Sequence, residues 1–152
     1  MKRVLIVGVL AAATALTSCA PVIHSMGPVV TTPAIEITGA DTILIAPDGV
    51  RLPVQTWQTD GKPKAIFLAL HGFNDYANGV AMPAADWAKQ GIVTYAYDQR
   101  GFGRAPHRGY WAGTAAMTAD LRTAASLLKR RHPDVPLYLL GISMGGAVAM
   151  AA

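Results

Sequence analysis

Residues 141–146, Gly-Ile-Ser-Met-Gly-Gly, decide the fold of this chain. They follow a short apolar run, residues 137–140, that predicts a strand, and they lead into small residues that predict a helix. At this junction the Gly-x-Ser-x-Gly spacing predicts a sharp turn that holds Ser143 at positive φ. Gly141 and Gly145 keep side chains out of the crowded space beneath the serine. Ser143 would therefore stand clear of the sheet, where a base can activate its hydroxyl as a nucleophile.

A second loop with polar and aromatic residues follows another predicted strand. The apolar run 65–70 leads into His-Gly-Phe-Asn-Asp, residues 71–75. An oxyanion hole needs two amide donors, and we predict that the backbone N–H groups of Met144 and Phe73 supply them. At its position directly after the strand, His71 is expected to brace the loop by hydrogen bonding rather than to act as the base.

Strands and helices alternate along most of the chain. A hairpin comes first, with a Pro-Asp-Gly turn at residues 47–49. A helix with an apolar stripe spans residues 114–131, and the basic residues in its last turn complement the helix dipole. The predicted order is strands 42–46, 50–57 and 65–70, helix 80–90, strand 92–97, helix 114–131, strand 137–140 and a helix from residue 144. This order predicts an α/β fold with a mostly parallel sheet and an amino-terminal hairpin.

Four motifs in one order connect this chain with a known superfamily. They are residues 71–73, residues 98–104 (Asp-Gln-Arg-Gly-Phe-Gly-Arg), the Asp120-Leu121 pair and residues 141–146. Together they resemble the α/β-hydrolase superfamily, in its monoacylglycerol lipase, lysophospholipase and serine aminopeptidase-like branch. The resemblance covers residues 65–152 and implies an α/β-hydrolase fold.

The resemblance also implies a role for each matching residue. Ser143 matches the nucleophile of the family, and the amides of Phe73 and Met144 match its oxyanion hole. The loop that begins at Asp98 matches a segment beneath the site, in which Asp98 and Arg100 are expected to be structural. No metal and no cofactor are implied.

The chain departs from the family pattern after the serine. In this superfamily the catalytic acid and histidine follow the nucleophile in sequence. Only nine residues follow Ser143, and none of them is acidic or histidine. Ile142 and Ala105 also differ from the residues common in relatives, but neither takes part in the chemistry. We therefore expect the chain to be an amino-terminal part, truncated after the nucleophile turn and inactive by itself.

The first residues have the pattern of a secretory leader. Lys2 and Arg3 precede thirteen uncharged residues, 4–16, which would span only about 20 Å as a helix against a hydrocarbon core of about 30 Å. The run ends in Leu-Thr-Ser-Cys, residues 16–19, which resembles the lipobox of bacterial lipoproteins. The prediction is a signal peptide over residues 1–18 and lipidation of Cys19. The alternative is an ordinary leader in which Cys19 has no role.

Composition restricts the partners of the protein. The 152 residues carry a formal net charge of +4 and include one cysteine, so an intrachain disulfide and a cysteine-built zinc site are excluded. No concentrated basic patch is present, and nucleic-acid binding is not expected.

Residues 19–41 contain several prolines and are predicted to be a tether to a domain over residues 42–152. Ala20, a non-acidic residue after Cys19, resembles the outer-membrane sorting pattern of proteobacterial lipoproteins, and this resemblance implies an outer-membrane location facing the periplasm.

These observations predict a lipid-anchored serine hydrolase in the bacterial cell envelope. The expected substrates are carboxylic esters derived from lipids, such as monoacylglycerols or lysophospholipids. Two alternatives remain open from the sequence. One is a serine aminopeptidase-like peptidase, and the other is a non-catalytic binding lipoprotein anchored to the membrane.

Overall fold

A computed structural model describes residues 22–38 and 41–152. The predicted signal peptide, residues 1–18, and Cys19 lie outside the described residues. In the described part, no helix is both long enough and apolar enough to cross a membrane.

In residues 22–38 and 41–152, six strands form one sheet, with helices on both faces. The strands are β1 (Ala34–Thr38), β2 (Asp41–Ile45), β3 (Arg51–Trp57), β4 (Ala65–Leu70), β5 (Ile92–Tyr97) and β6 (Leu137–Gly141). The helices are α1 (Ala81–Lys89), α2 (Gly113–Arg131) and α3 (Met144–Ala151), and a 3₁₀ turn, Ala77–Val80, precedes α1. The alternation predicted from the sequence is confirmed.

The strand order in the sheet is β1-β2-β3-β5-β4-β6. β4 pairs in parallel with β5 and with β6, whereas β1, β2 and β3 pair antiparallel and β3 is antiparallel to β5. The sheet is therefore mixed rather than mostly parallel. The difference arises because the first three strands form an antiparallel unit larger than the predicted hairpin.

The core lies mainly between the sheet and the helices α2 and α3. Leu68 of β4 and Tyr95 of β5 pack in one cluster with Met117 and Leu121 of α2 and Val148 of α3. Since helices cover both faces, the middle strands β4 and β5 are buried on both sides, as their continuous apolar runs predict. β6 differs: within the described residues it pairs only with β4, and Tyr138 and Leu139 are exposed.

The predicted tether, residues 19–41, is wrong over Ala34–Thr38, because these residues form β1. Ala34 lies opposite Ile45 in an antiparallel register that extends to Thr38 and Asp41. Ile35 packs against the core, while Ile37 is exposed. Apolar and polar residues alternate over only four positions, 35–38, just after Pro33, and this short pattern is too weak a strand signal.

Candidate active site

The turn between β6 and α3 holds Ser143 in a strained conformation. Its φ of 50° and ψ of −112° lie outside the regions that ordinary L-residues favour. Two backbone hydrogen bonds fix the turn: Ile142 N–H donates to Leu70 O at 3.0 Å, and Gly145 N–H donates to Ile142 O at 2.9 Å. Ser143 is exposed, so its hydroxyl is accessible to a substrate.

The two glycines that flank the serine are required by close backbone contacts. A Cβ at Gly141 would collide with the backbone of Gly146, and one at Gly145 would collide with the Leu70 carbonyl. These are the positions at which the sequence predicted that side chains must be absent. The nucleophile turn thus packs directly on the end of β4.

The loop after β4 lies beside the serine. A Cβ built on Gly72 would lie 3.7 Å from Ser143 Cβ, so the two backbones approach closely. The next amide, that of Phe73, donates to no other described residue, and neither does the amide of Met144 at the start of α3. Among the described residues, neither N–H group therefore has an acceptor, as the predicted oxyanion donors require.

His71 braces this loop, as predicted. Its imidazole is buried, with Nδ1 at 2.7 Å from Gly72 O. The Gln99 amide donates to His71 Nε2 at 3.0 Å, and the Gln99 side chain donates to His71 O at 2.9 Å. Both ring nitrogens are occupied by the backbone, which leaves His71 unavailable as the base for Ser143.

Asp98 joins two loops around the site. Its carboxylate accepts hydrogen bonds from Ala77 N–H at 2.7 Å and from Arg104 N–H at 2.8 Å. Gly103, at φ 53°, lies against the same carboxylate, where a Cβ would collide with it. Asp98 therefore holds the loop after β4 next to the loop after β5.

Arg100 lies between two buried carboxylates. Nε and Nη2 donate to Asp120 at 2.6 and 2.8 Å, and Nη1 and Nη2 donate to Asp48 at 2.6 and 2.9 Å. Burial alone would raise the pKa of Asp48, but its bonds from Arg100, Gly27 and Val50 outweigh burial and lower it. Burial raises the pKa of the more deeply placed Asp120, and the bonds from Arg100 offset this rise only in part.

A cavity of about 240 Å³ lies between the two loops. Aromatic side chains dominate its lining, with one arginine and one aspartate. These residues are Phe73, Tyr76, Phe102, Tyr110, Trp111, Arg108 and Asp75. Sequence reasoning did not find this cavity, because its walls come from two loops, residues 73–76 and 101–111, and the residues 108–111 that complete it belong to none of the motifs.

All four histidines of the chain are in the described residues, and none is hydrogen-bonded to Ser143. His24 stacks on His107 with ring centroids 4.5 Å apart, and His132 Nε2 lies 3.0 Å from the Tyr95 hydroxyl. Within the described residues, Ser143 therefore has no histidine partner.

The family described as serine aminopeptidase, S33, matches residues 61–152, which is more than half of the chain. The chain belongs to this family of α/β hydrolases. A monoacylglycerol lipase from Mycolicibacterium smegmatis is 31% identical over 104 residues, covering 68% of this chain and 37% of the lipase. A monoglyceride lipase from Rattus norvegicus is 28% identical over 110 residues, covering 72% of this chain and 36% of the relative.

Solved structures of α/β hydrolases share the same fold. A thermostable carboxyl esterase from Bacillus coagulans superimposes with a TM-score of 0.64 at 23% identity, covering 78% of this chain and 39% of the esterase. An esterase from Exiguobacterium antarcticum gives a TM-score of 0.57 at 26% identity, covering 71% of this chain and 37% of the esterase. The α/β-hydrolase fold predicted from the sequence is confirmed. The chain spans somewhat more than a third of the length of these relatives.

Proposed function

We propose that the whole protein is a serine hydrolase that cleaves carboxylic esters derived from lipids, such as monoacylglycerols or lysophospholipids. The observation that carries the proposal is the exposed Ser143 at φ 50° beside the close approach of Gly72. A strained serine turn is costly, of order 1–3 kcal/mol, and such strain is concentrated at functional sites. The lipase and esterase relatives support the same chemistry.

The reaction follows from this geometry. Ser143 Oγ attacks the ester carbonyl while a base removes its proton, and the carbonyl oxygen becomes an oxyanion. The free amides of Phe73 and Met144 donate to that oxyanion. Collapse of the intermediate releases the alcohol and leaves an acyl-enzyme, which water hydrolyses. We propose that a histidine and an acid outside these 152 residues supply the base and its orienting partner.

Peptidase activity is the second candidate, since the matching family is described as serine aminopeptidase. Asp75 lines the cavity and could pair with the free amino terminus of a peptide. Its carboxylate already accepts a hydrogen bond from the Tyr76 amide at 2.9 Å, and five of the eleven lining residues are aromatic. We therefore favour an acyl ester as the substrate.

The function is tested by comparing ester and amide substrates on the whole protein. We expect saturable hydrolysis of a monoacylglycerol and of p-nitrophenyl butyrate, with no measurable release from aminoacyl p-nitroanilides. Cleavage of the anilides at a rate equal to that of the esters would establish the peptidase instead. No turnover in a folded sample would favour a non-catalytic binding lipoprotein.

We also propose that Cys19 carries the lipid anchor and places the protein in the bacterial cell envelope, at the outer membrane facing the periplasm. Several acyl chains on one residue bind a bilayer much more firmly than a single chain. Replacing Cys19 with alanine should move the protein from the membrane fraction to the soluble fraction. Metabolic labelling with palmitate is the check, and label retained in Cys19→Ala would contradict the proposal.

A further inference from the structure

We propose that Gln99 is a positioning residue for the oxyanion hole. It fixes the backbone of the loop after β4, so that the Phe73 N–H points at the reacting carbonyl oxygen. Gln99 lies in the loop after β5 and acts through His71 rather than on the substrate. The inference rests on the proposed function, because it assigns Gln99 a part in the same reaction.

Three successive carbonyl groups that precede the Phe73 amide are each fixed by a hydrogen bond. The donors come from the nucleophile turn, from the Gln99 side chain and from the His71 ring. The acceptors, in the same order, are Leu70 O at 3.0 Å, His71 O at 2.9 Å and Gly72 O at 2.7 Å. A peptide group is planar, so a bond that fixes the Gly72 carbonyl also fixes the direction of the Phe73 N–H.

The Gln99 backbone determines which nitrogen of His71 carries the proton. Its N–H donates to His71 Nε2 at 3.0 Å, and a backbone amide can only donate, so Nε2 is an acceptor. An imidazole with an acceptor nitrogen is neutral, and its proton is then on Nδ1. His71 Nδ1 therefore donates to Gly72 O. In this way Gln99 fixes two successive peptide planes, one through its side chain and one through the His71 ring.

The backbone turns sharply directly after the oxyanion donor. Asn74 has a φ of 57°, in the left-handed region that few residues other than glycine adopt. Such strain persists only where the surrounding contacts determine the conformation. The bonds from Gln99 lie before the strained residue, and the bond from Ala77 N–H to Asp98 lies after it. The donor Phe73 is thus held from both sides.

The contacts of Gln99 lie inside the described part of the chain. Gln99 is 1% exposed and His71 is 2% exposed, so water does not compete for their hydrogen bonds. Hydrogen bonds in such surroundings are stronger than in water. Because the described residues already bury both side chains, the arrangement does not depend on the remainder of the protein.

The test replaces Gln99 with methionine in the whole protein, which keeps the backbone N–H and the length of the side chain but removes its donor. We expect kcat for p-nitrophenyl butyrate to fall about tenfold with KM unchanged, because a misplaced oxyanion donor mainly affects the transition state. The inhibition constant of a trifluoromethyl ketone, which forms an oxyanion on the attacking serine, should rise by the same factor.

Gln90→Met is the matched control. The Gln90 side chain also donates to a backbone carbonyl, Asp86 O at 3.4 Å, but Gln90 precedes β5 whereas Gln99 follows it. Its kinetics should equal those of the wild type. Unchanged kcat in Gln99→Met, or an equal fall in both variants, would overturn the positioning role. A rise in KM at constant kcat would overturn it as well, since Gln99 would then affect substrate binding.

The rate of labelling by a fluorophosphonate separates this inference from the proposed function. Labelling uses Ser143 and the oxyanion hole but needs no ester substrate. Slower labelling of Gln99→Met than of the wild type, without hydrolysis of any ester, would support the positioning role and reject the ester substrate. Equal labelling of the two proteins, with ester hydrolysis by the wild type, would reject the positioning role and leave the proposed function in place.

Discussion

Replacing Ser143 with alanine in the whole protein is expected to abolish ester hydrolysis. The loss in kcat should reach about 10⁴-fold or more, because removing the nucleophile leaves only the oxyanion hole and substrate binding. Ser143 has no other structural bond that its hydroxyl would supply, since the turn is held by backbone amides. The variant should therefore fold like the wild type, and circular dichroism with p-nitrophenyl butyrate kinetics checks both statements.

Two further variants sharpen this prediction. Ser126→Ala removes an exposed serine on α2 that accepts a bond from Arg130, and it should leave kcat unchanged. Phe73→Ala keeps the backbone N–H. The decrease in kcat should therefore be far smaller than the ~10²–10³-fold decrease caused by loss of an oxyanion donor. Activity of Ser143→Ala within tenfold of the wild type would remove Ser143 from the mechanism.

Replacing Arg100 with methionine is expected to destabilise the whole protein by about 3–5 kcal/mol at neutral pH. The variant leaves two carboxylates, Asp48 and Asp120, buried without their cation. Arg104→Met is the matched control. Its side chain is 61% exposed and 3.9 Å from Asp98, so its removal should cost at most about 1 kcal/mol. Urea denaturation followed by tryptophan fluorescence measures both values.

The stability that Arg100 contributes to the folded protein should also depend on pH. Asp48 has a lowered pKa in the folded wild type. Its contribution to the free energy of unfolding is therefore present above about pH 4 and is lost as the pH falls through the pKa of Asp48 in the folded protein. In Arg100→Met the buried carboxyls instead take up protons in acid and lose their charge. The difference in stability between the two proteins should therefore narrow below about pH 4. Equal stability of Arg100→Met and the wild type at pH 7 would contradict this account of the ion cluster.

Local patterns predicted most of the fold. An apolar stripe identified α2. It consists of Met117, Leu121, Ala124 and Leu128, and all four side chains are buried. The glycine spacing identified the turn at Ser143, because the close contact of Gly141 with Gly146 acts between residues near in sequence. β4 was equally clear, since a strand buried on both faces is mostly apolar, and β5 departs from this pattern only at the buried Thr94.

Contacts between distant residues were not predictable in the same way. Asp48 meets Arg100 across 52 positions, and neither residue carries a signal for the other. The attachment of Ile23 and His24 to Trp111 depends on where two loops lie in space. The prolines at residues 28 and 33 agree with the lack of a helix over the described residues 22–33, but they do not distinguish a free chain from one bound along a domain.

The central claim is that Ser143 is an activated nucleophile, and a fluorophosphonate probe tests it most directly. The probe is applied to the whole, folded protein, and the labelled peptide is located by mass spectrometry. The account predicts one covalent adduct, on Ser143, and none in Ser143→Ala. No adduct in a folded wild-type sample, or an adduct on another serine, would contradict it.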